Sequence, residues 1–290
     1  MAINSIKIIL FHNYIIKREK EKQKEKQKEA IAIFDEILKN DKNSRLLLTQ
    51  AWIEKGHCNW NLSDYKKAEE CYLKATELEP NAVSALICLG DIASVRRSEH
   101  EALAFFDKAL LYDKTNIEIY LGNGRAFKNL KQFSEGIKCY DEVLKLDDSI
   151  SDAWFDKGSL LSQMDLFQRV IDHYEEFIEK FSDNRDVKYA VVNIASAQNS
   201  LKKYPDAINS CEKAFKIDNK FQFAFEQKTR ALIGLEKYPD AIIWLEKSLN
   251  LPDCETRNTI KRLIKLNRRM GDIDKQKEYE KKLKELDEGT

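Results

Sequence analysis

Apolar side chains along this chain return to the same places every 34 residues. Trp52, Leu86, Tyr120 and Trp154 form one series, and Tyr72, Phe106, Tyr140 and Tyr174 form another. Between them stand Gly56, Gly90, Gly124 and Gly158, each followed twelve residues later by Ala68, Ala102, Gly136 or Val170. Farther on, the tract Lys203-Tyr204-Pro205-Asp206-Ala207-Ile208 reappears as Lys237-Tyr238-Pro239-Asp240-Ala241-Ile242, again 34 residues later. A fixed period of this length predicts stacked supersecondary units, each burying its apolar face against its neighbours, rather than one closed core.

The units begin at Thr49, Val83, Ile117, Ser151, Lys188 and Gln222, with a degenerate one near Arg257. Within each, apolar positions 4, 7 or 8, and 11 fall on one face of a first helix, and positions 20, 24 and 27 on one face of a second. Each unit therefore reads as a helical hairpin with its break near positions 14 to 17, marked by Ser63-Asp64, by Lys131-Gln132 and twice by Tyr-Pro-Asp. Pro205 and Pro239 suit the first turn of a helix, and Asp206 and Asp240 favour its positive end. The step from the fourth to the fifth unit is 37 residues, which places a small insertion at Arg185-Asp186-Val187. A glycine inside a helix costs about 1 kcal/mol relative to alanine. Its recurrence at position 8 predicts close approach of the partner helix, with the position-24 aromatic filling the adjacent space.

Composition agrees with soluble amphipathic helices: charged residues are 34% of the 290, and glycine and proline are few. Lys+Arg and Asp+Glu are equal at 49, so bulk charge points to neither nucleic acid nor an anionic membrane. The segments 1–48 and 256–290 are each net basic, and the body between them is net acidic. The six cysteines are far apart with no CxxC, which fits packing and a reducing, cytoplasmic setting and suggests no metal. Residues 6–16 are isoleucine-rich but carry Lys7, His12 and Asn13, making a poor signal peptide and favouring packing over membrane contact. There is no phosphate-binding glycine loop, the four histidines lack metal spacing, and the carboxylates form no recognisable acid-base constellation. No cofactor and no catalysis are expected.

The pattern resembles the tetratricopeptide repeat family over about residues 45–287, most fully at Trp52, Gly56, Tyr65, Ala68, Tyr72, Ala75 and Pro80. Lys55 and Asn59 depart from it, standing where the family prefers apolar residues. The resemblance implies an all-α helical-hairpin solenoid with a right-handed superhelix. It divides the chain into a segment 1–29, apolar then charged and flexible or helical; a lone half-repeat helix at 30–44; six units at 45–255; and a degenerate capping repeat with tail at 256–290.

It also implies a non-catalytic scaffold or adaptor that binds a peptide or helix of a partner protein in a concave groove. In the family, positions 2, 5, 6 and 9 of the first helix line that wall. Here they supply Glu54 and His57, Cys88 and Asp91, Glu118 and Arg125, then Asp152, Asp156 and Ser159, Asn193 and Ser196, Gln227 and Arg230, and lastly Lys261, Arg262 and Lys265. The groove is acidic early and basic late, so a partner of opposite polarity would match it. The lysine-asparagine-arginine clamp with which chaperone-binding members grip a carboxyl-terminal tail is absent, which disfavours that mode. Two other readings stay open: a single-stranded RNA-binding helical repeat, resting on the basic stretch Arg257 to Arg269, and the regulatory subunit of an enzyme complex.

Overall fold

The computed structural model describes residues 21–40, 44–251 and 255–288. The isoleucine-rich segment 6–16, His12 and Cys254 lie outside them. One helix, α1, covers 21–38 without a break at residue 30. The remaining helices form two compact units, Met1–Asp147 and Asp148–Thr290. In the first, α2 (Arg45–Asn61) pairs with α3 (Tyr65–Leu78), α4 (Val83–Val95) with α5 (Glu99–Leu110), and α6 (Ile117–Asn129) with α7 (Phe133–Leu146). In the second, the hairpins are α8 (Ser151–Gln163) with α9 (Phe167–Lys180), α10 (Val187–Ser200) with α11 (Tyr204–Ile217), α12 (Gln222–Gly234) with α13 (Tyr238–Ser248), and α14 (Thr256–Met270) with α15 (Ile273–Glu288). No strand occurs among the described residues.

Every hairpin turns in the same way. In six hairpins the residue after the first helix's C-cap is left-handed: Ser63, Arg97, Lys131, Asp165, Lys202 and Glu236 have φ between 56° and 63°; in the last the C-cap itself, Gly271, is left-handed at 74°. The following N–H reaches back to a carbonyl five residues earlier, as in Asp64 to Asn59 and Gln132 to Phe127, both at 2.9 Å. This satisfies carbonyls that a helix end leaves orphaned. Second helices then start on local signals. The Asp64 carboxylate accepts from the Lys67 N–H at 3.2 Å, and α11 and α13 carry Pro205 and Pro239 in their first turn. The inter-repeat insertion falls mostly in the loop 181–186; Val187, expected to belong to it, is instead buried in the first turn of α10.

Packing explains the position-8 glycines. A Cβ on Gly90 would lie 2.5 Å from the Phe106 ring, and one on Gly124 would lie 2.8 Å from Tyr140. Gly56 and Gly158 press on Tyr72 and Tyr174 in the same manner. Each ring is fully or almost fully buried, and burying an aromatic side chain contributes roughly 2–3 kcal/mol, enough to offset the helical cost of the glycine.

The departures at Lys55 and Asn59 also have a local cause. Lys55 Nζ pairs with Asp35 of α1 at 2.5 Å and lies 5.0 Å from the Trp52 ring centroid. Asn59 donates to the Lys55 carbonyl at 2.8 Å. α1 thus meets a polar wall, leaving a cavity of about 920 Å³ between it and the first hairpin.

Candidate functional site

In each hairpin the second helix supplies the ring or small residues that fill the interior, so one face of the first helix is left toward solvent. The thirteen residues expected to line a groove, from Glu54 to Arg262, all stand on first helices, and all are half-buried or exposed.

In the first unit they gather on α2, α4 and α6. The Tyr72 hydroxyl rises from the interior to within 3.0 Å of His57 Nδ1. Burial pushes the Cys88 thiol up to about 11, with the Tyr72 hydroxyl beside it. One turn along α4, burial raises the Asp91 carboxyl to about 6; Arg125 pulls it down and Glu118 pushes it up. His57, Cys88, Asp91, Glu118 and Arg125 therefore share one patch. Glu54 lies beside it on α2, accepting from Gln50 Nε2 at 2.8 Å.

In the second unit, Ser159, Asn193 and Ser196 come together around a cavity of about 340 Å³, with Phe155 and Tyr174 in its wall. Gln227 is held by Asn199, whose Nδ2 donates to its carbonyl at 2.9 Å and its Oε1 at 3.2 Å. Burial pushes the Arg262 guanidinium down and the Glu226 carboxyl up, each partly offset by the other's charge. Asp152 and Arg230 are exposed on α8 and α12. Sequence reasoning passed over Phe155, Tyr189 and Phe223. They occupy the same lining positions, 5, 2 and 2, and a register read for apolar as well as polar side chains would have found them.

Two groups that could be taken for chemistry are structural. His173 is buried, its Nε2 2.8 Å from the Trp154 carbonyl and its ring stacked on Trp154 at 4.8 Å. Burial raises the Cys71 thiol to about 11 and the Cys139 and Cys211 thiols to about 12, the behaviour of packed rather than reactive cysteines. No group of three metal-binding side chains occurs among the described residues, and none of their helices is long and apolar enough to cross a membrane.

Family models described as tetratricopeptide repeat match residues 49–82 and 117–150, each 34 residues and each one hairpin of the first unit. These two hairpins are tetratricopeptide repeats. Solved structures extend the likeness. A tetratricopeptide repeat protein from Parabacteroides merdae ATCC 43184 matches with TM-score 0.62 at 17% identity, over 82% of this chain and 92% of that one. YrrB, described as a tetratricopeptide protein with an unusual peptide-binding site, matches with TM-score 0.51 at 18% identity, over 64% of this chain and 95% of that one. Yeast Tom70 matches with TM-score 0.52 at 21% identity, over 91% of this chain and 55% of that one. At these identities the likeness is one of fold. No curated protein matches the sequence. The glycine-aromatic contacts that hold the hairpins belong to this fold.

Proposed function

We propose that the chain is a non-catalytic scaffold or adaptor that binds a peptide or helix of a partner protein along its first-helix faces. The observation that carries this reading is the segregation of side chains. Rings and small residues of the repeat signature are buried between helices, while the lining positions present carboxylates, amides, hydroxyls and cations beside open recesses. Tetratricopeptide folds are generally protein-protein interaction scaffolds, and YrrB is described as having a peptide-binding site. An extended wall of this kind suits a chain segment, which can contact several units at once. The free thiols of Cys58, Cys71, Cys88, Cys139 and Cys211 fit a reducing, cytoplasmic setting.

Affinity capture from native lysate tests the proposal, comparing the intact chain with an Asp152→Lys/Asp156→Lys variant of equal helicity. A protein retained by the first and lost from the second supports the groove reading. Identical captures would remove α8 from the binding face, and recovery of RNA instead of protein would replace the reading.

A further inference from the structure

From α8 to α12 in the second unit the first helices are linked by a row of rings. Phe155 of α8 meets Tyr189 of α10 edge-on, with ring centroids 6.4 Å apart. Tyr189 meets Phe221 at 5.0 Å, and Phe221 meets Phe223 of α12 at 5.5 Å. Beyond them, Glu226 of α12 and Arg262 of α14 lie near enough for each charge to act on the other. Along this row Tyr189 and Phe223 are left 41% and 51% exposed. A cavity of about 310 Å³ opens beside them, walled by Phe221, Gln222 and Glu226 and by the opposed charges of Lys188 and Lys220 with Asp218 and Glu255. Gln222 Oε1 is buried there without a hydrogen-bond donor. Exposed rings around a recess and a buried carbonyl oxygen lacking a donor are each unfavourable in water. A peptide that places an apolar side chain on the rings relieves the first, and one whose N–H draws the Gln222 amide out toward it relieves the second.

Charge sets the rest of the occupant. At the α8 end of the row stand Asp152 and Asp156; at the α14 end stand Lys261, Arg262 and Lys265. The other cations of α14 are already engaged: Arg257 by Asp287, Arg268 by Glu280 at 3.4 Å and Arg269 by Glu236 at 4.0 Å. Lys261 and Lys265 are exposed.

We infer that this face of the second unit receives an extended segment of a partner protein, with an apolar side chain at its centre, basic residues toward α8 and acidic residues toward α14. The inference rests on the scaffold reading above and names the chemistry of its partner. Three helix steps of roughly 9 Å each span a distance that an extended segment of about eight residues covers. A single RNA strand could stack on Tyr189 and Phe223 but would bring its phosphates past Asp152, Asp156 and Glu226, so protein is favoured.

The test uses the full chain and fluorescein-labelled nine-residue peptides, read by anisotropy. Each probe has two lysines at one end, a central phenylalanine and two glutamates at the other, and is made in both chain directions. The control has the same composition with the charges intermixed, and a single-stranded oligonucleotide is run beside them. The expected result is at least tenfold tighter binding of a block-charged peptide than of the mixed one, weakened by salt. Tyr189→Ala/Phe223→Ala should lower that affinity at least tenfold at unchanged helicity, and Lys261→Glu/Lys265→Glu should abolish the preference for blocked charge. Equal binding of the mixed peptide, no binding of any peptide, no loss in the aromatic variant, or preference for the oligonucleotide overturns the inference. If the peptides fail while lysate capture still depends on Asp152 and Asp156, this inference falls and the scaffold reading stands; if both fail, both fall.

Discussion

The two compact units are built from the same hairpin and turn, yet they use their aromatic residues differently. In the first unit, Tyr72, Phe106 and Tyr140 are spent inside, each lying on a glycine of its own hairpin. The second unit keeps that contact at Gly158 and Tyr174 and then gives it up: the corresponding pairs are Ala195 with Cys211 and Thr229 with Leu245. Its aromatics move to the lining face, as Tyr189 and Phe223, or pair with ammonium groups. Lys228 Nζ sits 3.6 Å from the Trp244 ring centroid, Lys188 4.9 Å from Phe221, and Lys180 5.4 Å from Trp154. A ring held against a glycine is fully committed to stability. One that stands exposed at a lining position, as Tyr189 and Phe223 do, is available for recognition. The contrast therefore makes the first unit the better-locked stack and the second the stronger candidate for partner contact.

The largest effect should come from breaking the first unit's lock. Gly124→Leu drives a side chain into Tyr140 and is expected to cost about 3 kcal/mol or more by overpacking, read as a drop in thermal and urea midpoints. Unchanged melting would mean that the glycine and the ring do not meet. In the second unit the comparable side chain is Lys228, buried against the stacked rings of Trp244 and Phe215 and paired with Glu212. Lys228→Ala removes packing, charge pair and cation-ring contact together, at about 2 kcal/mol. Lys228→Met keeps the packing, so chemical denaturation should show it recovering most of the loss; equal damage from both variants would assign the stability to the charge instead.

Asp91 supplies a pH-dependent contrast. Its carboxyl is raised from 3.8 to about 6 in the folded chain, chiefly by burial. The folded state thus retains a proton that the unfolded chain releases. Stability from this group is full below about pH 4 and is lost as pH rises through about 6. Asp91→Asn should accordingly gain on the order of 1 kcal/mol relative to the unmodified chain between pH 4 and pH 7. A stability difference that does not change with pH would remove Asp91 from the buried side of the patch.

The smallest effect concerns the turns. Lys131 holds φ at 58°, a conformation that costs a non-glycine residue about 1 kcal/mol. Lys131→Gly should therefore stabilise by a few tenths to 1 kcal/mol, visible as a small rise in melting temperature. A loss would mean that the lysine side chain contributes more than its backbone strain costs.

What the sequence made legible follows from what repeats in it. The hairpin period, the proline starts of α11 and α13, and the meeting of Gly90 with Phe106 were all readable, because each depends on a residue type returning at a fixed position. The left-handed turn residue was not. Six of the seven are serine, arginine, lysine, aspartate or glutamate, and only Gly271 shows the preference that marks such a position. Likewise Tyr189 and Tyr72 are the same residue type, and only packing separates a ring at a lining position from one inside the stack. Lys55 looked like a defect in the repeat until Asp35 of α1 stood beside it, a contact between segments that share no period.

The most direct test of the account is hydrogen-deuterium exchange of the intact chain, free and bound to a captured partner. The account predicts protection concentrated on the first helices of the second unit, α8, α10, α12 and α14, with α9, α11 and α13 little changed. Protection confined to those second helices, or to α3, α5 and α7, would contradict it, because binding would then use the faces opposite to those the repeat leaves open.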